Sequence, residues 1–119
     1  MTITSGPFVS GPAVTDAQLQ AMAAEICQVI PGAEVRLFGS RARGEAGPGS
    51  DVDLLITVSD QWLVENDRWA VLDRLRWQLS QPSSPVDLLL FSQSQVAERR
   101  QLRSNVVHQA YAEGLRLDG

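Results

Sequence analysis

The apolar residues of the chain recur with helical spacing in its first third. Thr15 and Gln18 stand three positions apart and form a capping box, which predicts that a helix begins there. Apolar residues then repeat every three or four positions until Pro31-Gly32, where the helix should end. This amphipathic stripe consists of Leu19, Met22, Ala23, Ile26 and Ile30.

Apolar runs of strand length follow the predicted helix. Residues 35–38 alternate in polarity before a glycine, and residues 52–58 are mainly apolar but carry one aspartate. Residues 86–91 are nearly all apolar, which predicts a central strand that is buried on both faces. Residues 115–117 favour a short edge strand.

Helical and loop segments separate these strands. Residues 61–80 and 93–113 are predicted to be helical, and Gly114 suits a helix C-terminus. Residues 1–14 are rich in Thr, Ser, Gly and Pro, which predicts a flexible leader. Residues 43–50 contain three glycines and a proline, which predicts a loop.

Length and composition fit one folded domain. The chain has 119 residues, of which 44% are apolar, enough for a hydrophobic core. The order of the predicted elements favours an α+β, two-layer fold in residues 15–119, with a small mixed β-sheet flanked by helices. The net charge of −4 argues against extensive binding of nucleic acid. All basic residues are arginines, so a side chain that grips a phosphate must do so with a guanidinium group.

A single cysteine and the lack of a long apolar segment indicate a soluble, cytoplasmic protein. Cys27 has no second cysteine with which to form an internal disulfide. It lies on the apolar face of the first helix, which favours a core role over a nucleophilic one. No stretch of about 20 apolar residues is present, so no membrane span is expected.

Two aspartates open the strand predicted at 52–58. Residues two apart in a strand point to the same face, so the carboxylates of Asp51 and Asp53 should lie together while Val52 turns into the core. Two ionised carboxylates repel each other, and a divalent cation between them removes that repulsion. Oxygen ligands favour Mg²⁺ or Mn²⁺ over Zn²⁺.

A third aspartate interrupts the apolar run at 86–91. An ionised Asp87 in a buried strand is costly unless it is paired or metal-bound. If its strand lies beside that of Asp53, the three carboxylates can share two cations, the geometry of two-metal phosphoryl transfer. A structural ion pair between Asp87 and an arginine is the alternative.

A glycine–serine turn precedes the aspartates. Gly39 and Ser40 directly follow a predicted strand, and small residues there let backbone N–H groups approach a phosphate. The hydroxyl of Ser40 can donate as well, and Arg41 and Arg43 can each grip phosphate oxygens with two N–H groups. The alternatives are a purely conformational role for Ser40 and solvated loop charges for both arginines.

Together these motifs resemble a known superfamily. The pattern resembles that of the DNA polymerase β-like nucleotidyltransferases, and the short chain resembles their minimal branch. It consists of Gly-Ser, Ala-Arg-Gly and Ser-Asp-x-Asp-Leu, followed at a distance by Val-Asp-Leu. The resemblance covers residues 15–117 and is sharpest in 38–54 and 86–91. A calcium-binding loop is disfavoured, because apolar Leu54 follows the Asp-x-Asp pair at once.

The resemblance implies a role for each motif residue. Asp51 and Asp53 would both bind two Mg²⁺ ions, with Mn²⁺ as a substitute, and Asp87 would bind one of them and help to activate the attacking hydroxyl. Arg43 would support the nucleotide or the reaction as a fourth catalytic residue, and the glycine–serine turn would hold the β- and γ-phosphates of ATP. The residues expected to bind the nucleotide are Gly39, Ser40, Arg41, Arg43 and Ser50.

The minimal branch also implies a partner. Many of its members are antitoxins of HEPN/MNT toxin–antitoxin pairs, which implies transfer of AMP from ATP to a tyrosine hydroxyl of a HEPN toxin. Two alternatives remain: a binding module that neutralises the toxin by complex formation, and an accessory subunit that modifies a small molecule or an RNA end. A homo-oligomer is compatible with the sequence.

Other polar side chains have a structural and a functional interpretation. Arg99, Arg100 and Arg103 form either a solvated helix face or a docking patch for an acidic partner. A structural or surface role is favoured for His108, which has no companion metal ligand. Packing is favoured for Tyr111 over its use as an internal acceptor of the nucleotide.

Two tryptophans complete the set of candidates. Trp62 and Trp69 stand seven positions apart, so they share one face if a helix continues through Asn66-Asp67. Core packing and an exposed aromatic anchor for a partner chain are the two interpretations.

Overall fold

Four strands form one sheet, with five helices around it, in the part of the chain that the computed structural model describes, residues 14–45, 50–80 and 85–118. The predicted leader before Val14 and the centre of the predicted loop at 43–50 lie outside these residues. The elements are α1 (Asp16–Val29), β1 (Glu34–Phe38), β2 (Val52–Val58), α2 (Asp60–Glu65), α3 (Arg68–Leu79), β3 (Val86–Ser92), α4 (Gln93–Arg99), α5 (Val106–Glu113) and β4 (Leu115–Arg116).

Helix α1 begins and ends as the sequence predicts. The hydroxyl of Thr15 accepts a hydrogen bond from the backbone N–H of Gln18 (3.1 Å), and the Gln18 side chain accepts one from the N–H of Thr15 (2.8 Å). After the helix, Gly32 adopts a left-handed conformation with a φ of 84°, which residues with a side chain rarely adopt. The predicted apolar stripe is buried, so α1 covers one face of the sheet.

The sheet has the strand order β3-β2-β1-β4. Strand β1 pairs antiparallel with β2 and with β4, whereas β2 pairs parallel with β3. A parallel pair needs a crossover connection, which α2 and α3 supply here. The predicted mixed sheet flanked by helices is confirmed, and so is the short edge strand near the end of the chain, as β4.

Helices pack against both faces of the sheet, as expected for an α+β fold whose small mixed sheet is flanked by helices. The larger core contains Val35, Leu54 and the apolar faces of α1 and α3. A smaller cluster on the other face contains Leu55, with Val96 of α4 and Val107 of α5. Alternate strand residues point to opposite faces, so apolar side chains on the second face require a cover as well.

Strand β3 lies at an edge of the described sheet, so the prediction of a central strand was wrong. Its burial alternates, because Leu88 and Leu90 are buried whereas Leu89 and Phe91 are only half-buried. The guanidinium of Arg99 covers the Phe91 ring at 4.6 Å from its centre. A long arginine side chain thus shields apolar surface at the edge, which a purely apolar run does not reveal.

The two longer predicted helices are each divided in two. Within 61–80, the side chain of Asp67 accepts hydrogen bonds from two backbone N–H groups at the start of α3, which separates this helix from α2. Within 93–113, Asn105 accepts a hydrogen bond from the N–H of Val107 and caps α5. Asp and Asn favour such capping positions over helix interiors, because their side chains compete for backbone groups.

Candidate active site

Three carboxylates converge at one end of the sheet. Asp53 of β2 and Asp87 of β3 are direct partners in the parallel register. Asp51 precedes Asp53 by two residues, with the fully buried Val52 between them, so both aspartates reach the same face. One carboxylate oxygen from each of the three aspartates lies within 4.8 Å of the other two. We call Asp51, Asp53 and Asp87 the carboxylate cluster.

The carboxylate cluster carries unbalanced negative charge. Asp53 is half-buried, whereas Asp51 and Asp87 are exposed. Burial, and then the charges of Asp87 and Asp51, raise the pKa of Asp53 above its ordinary value, while the positive charge of Arg41 opposes this. Burial and the neighbouring charges therefore disfavour the ionised form of Asp53, and a bound cation would reverse that penalty.

The donor set fits Mg²⁺ or Mn²⁺. The cluster found among the described residues consists of carboxylates alone, and hard oxygen ligands of this kind suit these cations. Asp53 and Asp87 are held on paired strands, so two of the three ligands keep a fixed separation. Asp51 would supply the third ligand from the chain immediately before β2.

Gly39 lies directly against the cluster. Its backbone is left-handed with a φ of 77°, and a Cβ added at this position would collide with Oδ2 of Asp53. Gly44, in the same turn, is also left-handed with a φ of 75°, but nothing lies within 4 Å of where its Cβ would stand. Position 39 therefore needs glycine both for its conformation and for the room that Asp53 occupies.

The turn after β1 leaves donor groups of Ser40 unused. The carbonyl oxygen of Gly39 accepts hydrogen bonds from the N–H groups of Ala42 (3.1 Å) and Arg43 (3.2 Å). The carbonyl oxygen of Ser40 accepts one from the N–H of Glu45 (2.9 Å). Within residues 14–45, 50–80 and 85–118, the backbone N–H and the hydroxyl of Ser40 donate to no protein acceptor. Both donors are suited to a phosphate oxygen.

Arg41 ties the turn to the start of β2. Its guanidinium donates hydrogen bonds to the carbonyl oxygens of Ser50 (2.7 Å) and Asp51 (3.2 Å). Both Arg41 and Ser50 were predicted to bind the nucleotide, and in this structure they contact each other. Their contact fixes the segment that delivers Asp51 to the cluster.

Arg43 is engaged by two carboxylates. Its Nε lies 2.8 Å from Oε1 of Glu45, and one of its terminal nitrogens lies 3.6 Å from Oε1 of Glu113 in α5. The hydrogen bond to Glu45, and then the charge of Glu45, raise the pKa of Arg43 above its ordinary value. Neither glutamate was predicted from the sequence, and no motif joins Glu113 to a residue so distant along the chain. A phosphate would have to compete with these carboxylates for Arg43.

Tyr111 and His108 make structural contacts. The hydroxyl of Tyr111 donates a hydrogen bond to Glu34 (2.9 Å), and the guanidinium groups of Arg36 and Arg100 each lie 4.2 Å from the centre of its ring. One ring nitrogen of His108 lies 2.8 Å from the carbonyl oxygen of Arg100. These contacts agree with the packing role favoured for Tyr111 and with a structural role for His108.

Cys27 has the contacts of a core residue. Its thiol packs against the larger core and donates to the carbonyl oxygen of Ala33 at 3.5 Å. Burial, and then the charge of Asp118, raise the pKa of the thiol, which disfavours the nucleophilic thiolate.

No helix in the described parts of the chain is long and apolar enough to cross a membrane.

The tryptophans do not share one helical face. Trp62 lies in α2 and is half-buried against the larger core, whereas Trp69 lies in α3 and is 65% exposed. Trp77, which was not among the candidates predicted from the sequence, is 85% exposed on α3. Val64 of α2 is exposed as well. The apolar surface of this region is therefore centred on α3.

A cavity of about 530 Å³ lies on the face of the sheet opposite the carboxylate cluster. Its wall includes Leu19 of α1, Leu37 of β1 and Leu117, and it reaches the turn only through Arg41 and Gly44. Leu37 belongs to the larger core, so this cavity opens beside α1. None of the three aspartates of the carboxylate cluster lines this cavity, so the cavity does not locate the candidate active site.

The sequence matches a family model described as a nucleotidyltransferase domain over residues 19–109. This match spans more than half of the chain and contains the turn and the whole carboxylate cluster. The chain therefore belongs to the nucleotidyltransferase domain family. Among curated proteins, none matches the chain significantly.

Two crystal structures share the fold. One is a protein from Sulfolobus solfataricus that is provisionally assigned as a nucleotidyltransferase; it is 20% identical, with a TM-score of 0.51 over 70% of this chain and 71% of that chain. The other is a toxin–antitoxin with AMP-PNP; the matched chain is 24% identical, with a TM-score of 0.52 over 82% of this chain and 71% of that chain. At these identities the likeness establishes the fold alone.

Proposed function

We propose that the protein is a Mg²⁺-dependent nucleotidyltransferase that transfers AMP from ATP to a tyrosine hydroxyl of a HEPN toxin in the cytoplasm, and so acts as the antitoxin. The observation that carries this proposal is the carboxylate cluster, whose three side chains approach within 4.8 Å of one another beside a turn with unused donors. Membership of the nucleotidyltransferase domain family supports the class of reaction.

The proposed transfer is a displacement at the α-phosphorus of ATP. The acceptor oxygen forms a bond to this phosphorus, the bond from phosphorus to the oxygen that bridges to the β-phosphate breaks, and pyrophosphate leaves. The proton of the hydroxyl passes to a carboxylate, and we assign this role to Asp87 because it is exposed and adjoins Asp53 on the neighbouring strand. When bound, Mg²⁺ neutralises charge on the triphosphate and on the cluster.

The turn positions the triphosphate in this proposal. The backbone N–H and the hydroxyl of Ser40 donate to phosphate oxygens, and Gly39 allows the turn to approach Asp53 closely. Arg41 keeps the segment before β2 in place through its two hydrogen bonds to carbonyl oxygens.

Arg43 contributes in the proposal by exchanging partners. Its ion pairs with Glu45 and Glu113 are exposed, so each is weak and can be replaced by a phosphate. A triphosphate carries more negative charge than a carboxylate, so the guanidinium of Arg43 is attracted to it more strongly. This difference favours the exchange.

A protein partner is supported by the likeness to a toxin–antitoxin structure and by the surface of α3. Trp69 and Trp77 expose large aromatic side chains, a feature that is enriched where proteins associate. The same surface favours a second candidate function, in which the protein neutralises the toxin by complex formation alone. In that case the carboxylate cluster would be dispensable for neutralisation.

The experiment that tests the proposal follows label from ATP labelled on the α-phosphate to a purified HEPN toxin that forms a stable complex with the protein, in the presence of Mg²⁺. The wild type should label the partner, and Asp53→Asn or Asp87→Asn should lower the rate by at least about 100-fold. Asp73→Asn is the matched control, because Asp73 is exposed on α3 and pairs only with Arg76 among the described residues. This control should keep the wild-type rate.

Two results would contradict the proposal. Label that stays off the partner with every variant would exclude transfer to protein. Full neutralisation of the toxin by Asp53→Asn and Asp87→Asn, equal to that of the wild type, would favour the second candidate.

A further inference from the structure

A second cavity, of about 290 Å³, lies between the sheet and helices α4 and α5. Thr57 of β2 and Glu34 of β1 are paired residues in the sheet, and both line this cavity. Thr57 is four residues beyond Asp53 on the same strand and face, which is about 13 Å along the sheet. The cavity is therefore separate from the carboxylate cluster.

The floor of this cavity holds an unsatisfied hydroxyl. Thr57 is 7% exposed, and its Oγ1 is buried without a hydrogen-bond partner among the described residues. Buried hydroxyl groups are nearly always hydrogen-bonded in folded proteins, because leaving one unpaired costs free energy. A group that enters the cavity can supply the missing partner.

The charges around the cavity leave one cation uncompensated. Glu34 already accepts hydrogen bonds from Tyr111 and from Arg36, and Arg116 is paired with Asp118 at 3.0 Å. By contrast, Arg100 lines the cavity and stacks on the Tyr111 ring, but within the described parts of the chain no carboxylate lies in ion-pair range of it. The stacking on Tyr111 fixes the orientation of the Arg100 guanidinium, and the N–H groups at the edge of the guanidinium can then donate to a ligand.

We propose that this cavity is a binding site for a small phosphate-bearing molecule, held by the guanidinium of Arg100 and the hydroxyl of Thr57. A phosphate group has several strong acceptor oxygens, so it can accept from both donors at once. The cavity is larger than a single phosphate group, so it leaves room for the rest of a small molecule. The site rests on its own residues and does not depend on the transfer reaction.

The test measures phosphate binding in full-length protein that carries Asp53→Asn and is kept free of divalent cations, so that the carboxylate cluster takes no part. Inorganic phosphate and pyrophosphate are titrated at constant ionic strength, while the side-chain Nε–H resonance of Arg100 is followed by NMR. Sodium chloride at equal ionic strength is the reference titration. Arg100→Gln and Thr57→Val remove one donor each, and Arg103→Gln is the control, because Arg103 is exposed and outside the cavity wall.

Saturable shifts with half-saturation below about 10 mM are expected for at least one of the two anions. Arg100→Gln should weaken binding by at least about tenfold and Thr57→Val by about three- to tenfold, whereas Arg103→Gln should change it less than about twofold. Thr57→Val should keep or raise the melting temperature of the unliganded protein, because it replaces a buried hydroxyl that has no protein partner by a methyl group of similar size.

Three outcomes would overturn the inference. Shifts that do not saturate would show that no site exists. If Arg100→Gln and Arg103→Gln weaken anion binding equally, the binding would be explained by general attraction between the anion and the positively charged side chains. A clear fall in melting temperature with Thr57→Val would show that the hydroxyl serves the fold rather than a ligand. None of these results bears on labelling of the HEPN partner, so the two proposals fail separately.

Discussion

Gly39 and Asp53 are packed so closely that a methyl group on Gly39 would overlap the carboxylate oxygen of Asp53. We therefore expect Gly39→Ala to displace this carboxylate and to lower nucleotidyl transfer by about 100-fold, since a misplacement of about 1 Å at a reacting group has an effect of that size. Left-handed backbone at this position adds a destabilisation of about 1–2 kcal/mol. Transfer rates and urea unfolding of the variant measure the two effects separately.

Gly44→Ala is the matched control for that substitution. Gly44 has nearly the same left-handed conformation but open space around it, so the variant should lose similar stability and keep most of its transfer activity. Equal losses of activity in both variants would mean that backbone strain, and not the contact with Asp53, explains the effect.

Mg²⁺ should stabilise the protein through the carboxylate cluster. At a Mg²⁺ concentration about ten times the dissociation constant, binding to the folded state alone adds about 1.4 kcal/mol, a rise of a few degrees in melting temperature. Asp53→Asn should remove most of this rise, yet the metal-free variant should melt above the metal-free wild type, because the repulsion within the cluster is relieved. Calorimetry of both proteins with and without Mg²⁺ checks that the variant melts higher than the wild type without the metal and gains less from it. A variant that keeps the full rise in melting temperature would exclude Asp53 as a ligand.

Asp118 should make stability depend on pH at the acidic end. Burial acts to raise the pKa of Asp118, but hydrogen bonds from the Arg116 side chain and the backbone N–H of Val35 outweigh it and hold the pKa below its ordinary value. The stabilisation is therefore present above about pH 4 and is lost as the pH falls through the depressed pKa. Asp118→Asn should be less stable by about 1 kcal/mol at pH 7, after allowance for solvent screening, and equally stable near pH 2. Urea unfolding at both pH values measures this, and a difference that persists in acid would contradict it.

The tryptophans should differ in their contribution to stability. Trp62 is half-buried against the larger core, so Trp62→Ala should lower the free energy of unfolding by about 2 kcal/mol. Trp77→Ala, at an 85% exposed position, should change it by less than about 0.5 kcal/mol. Denaturant unfolding followed by circular dichroism compares the two, and similar losses would mean that Trp77 is packed in solution.

The features that local chemistry determines could be predicted from the sequence. The capping box of Thr15 and Gln18 fixed the start of α1, and the alternation of a strand placed Asp51 and Asp53 on one face with Val52 in the core. The cluster of these aspartates with Asp87 followed once their strands were taken as neighbours, which the register confirms.

The remaining features depend on contacts between distant parts of the chain. The edge position of β3 was not predicted because its half-buried residues are covered by Arg99 and α4. These covering groups belong to a different element, so the sequence of β3 does not reveal them. The break before α5 carries one local signal, Asn105, that a search for capping residues could have found. The contacts of Gly39 with Asp53 and of Arg43 with Glu113 exist only in the folded chain.

The parallel pairing of β2 with β3 has a consequence for the order of events during folding. Asp53 and Asp87 are neighbours only when the segment of chain that contains α2 and α3 has crossed back to the sheet. Such non-local pairings form slowly, because the entropy of closing a long loop must be overcome first. Strong capture of a divalent cation would therefore be a late step in folding, and its appearance after dilution from denaturant would report the moment at which these two strands meet.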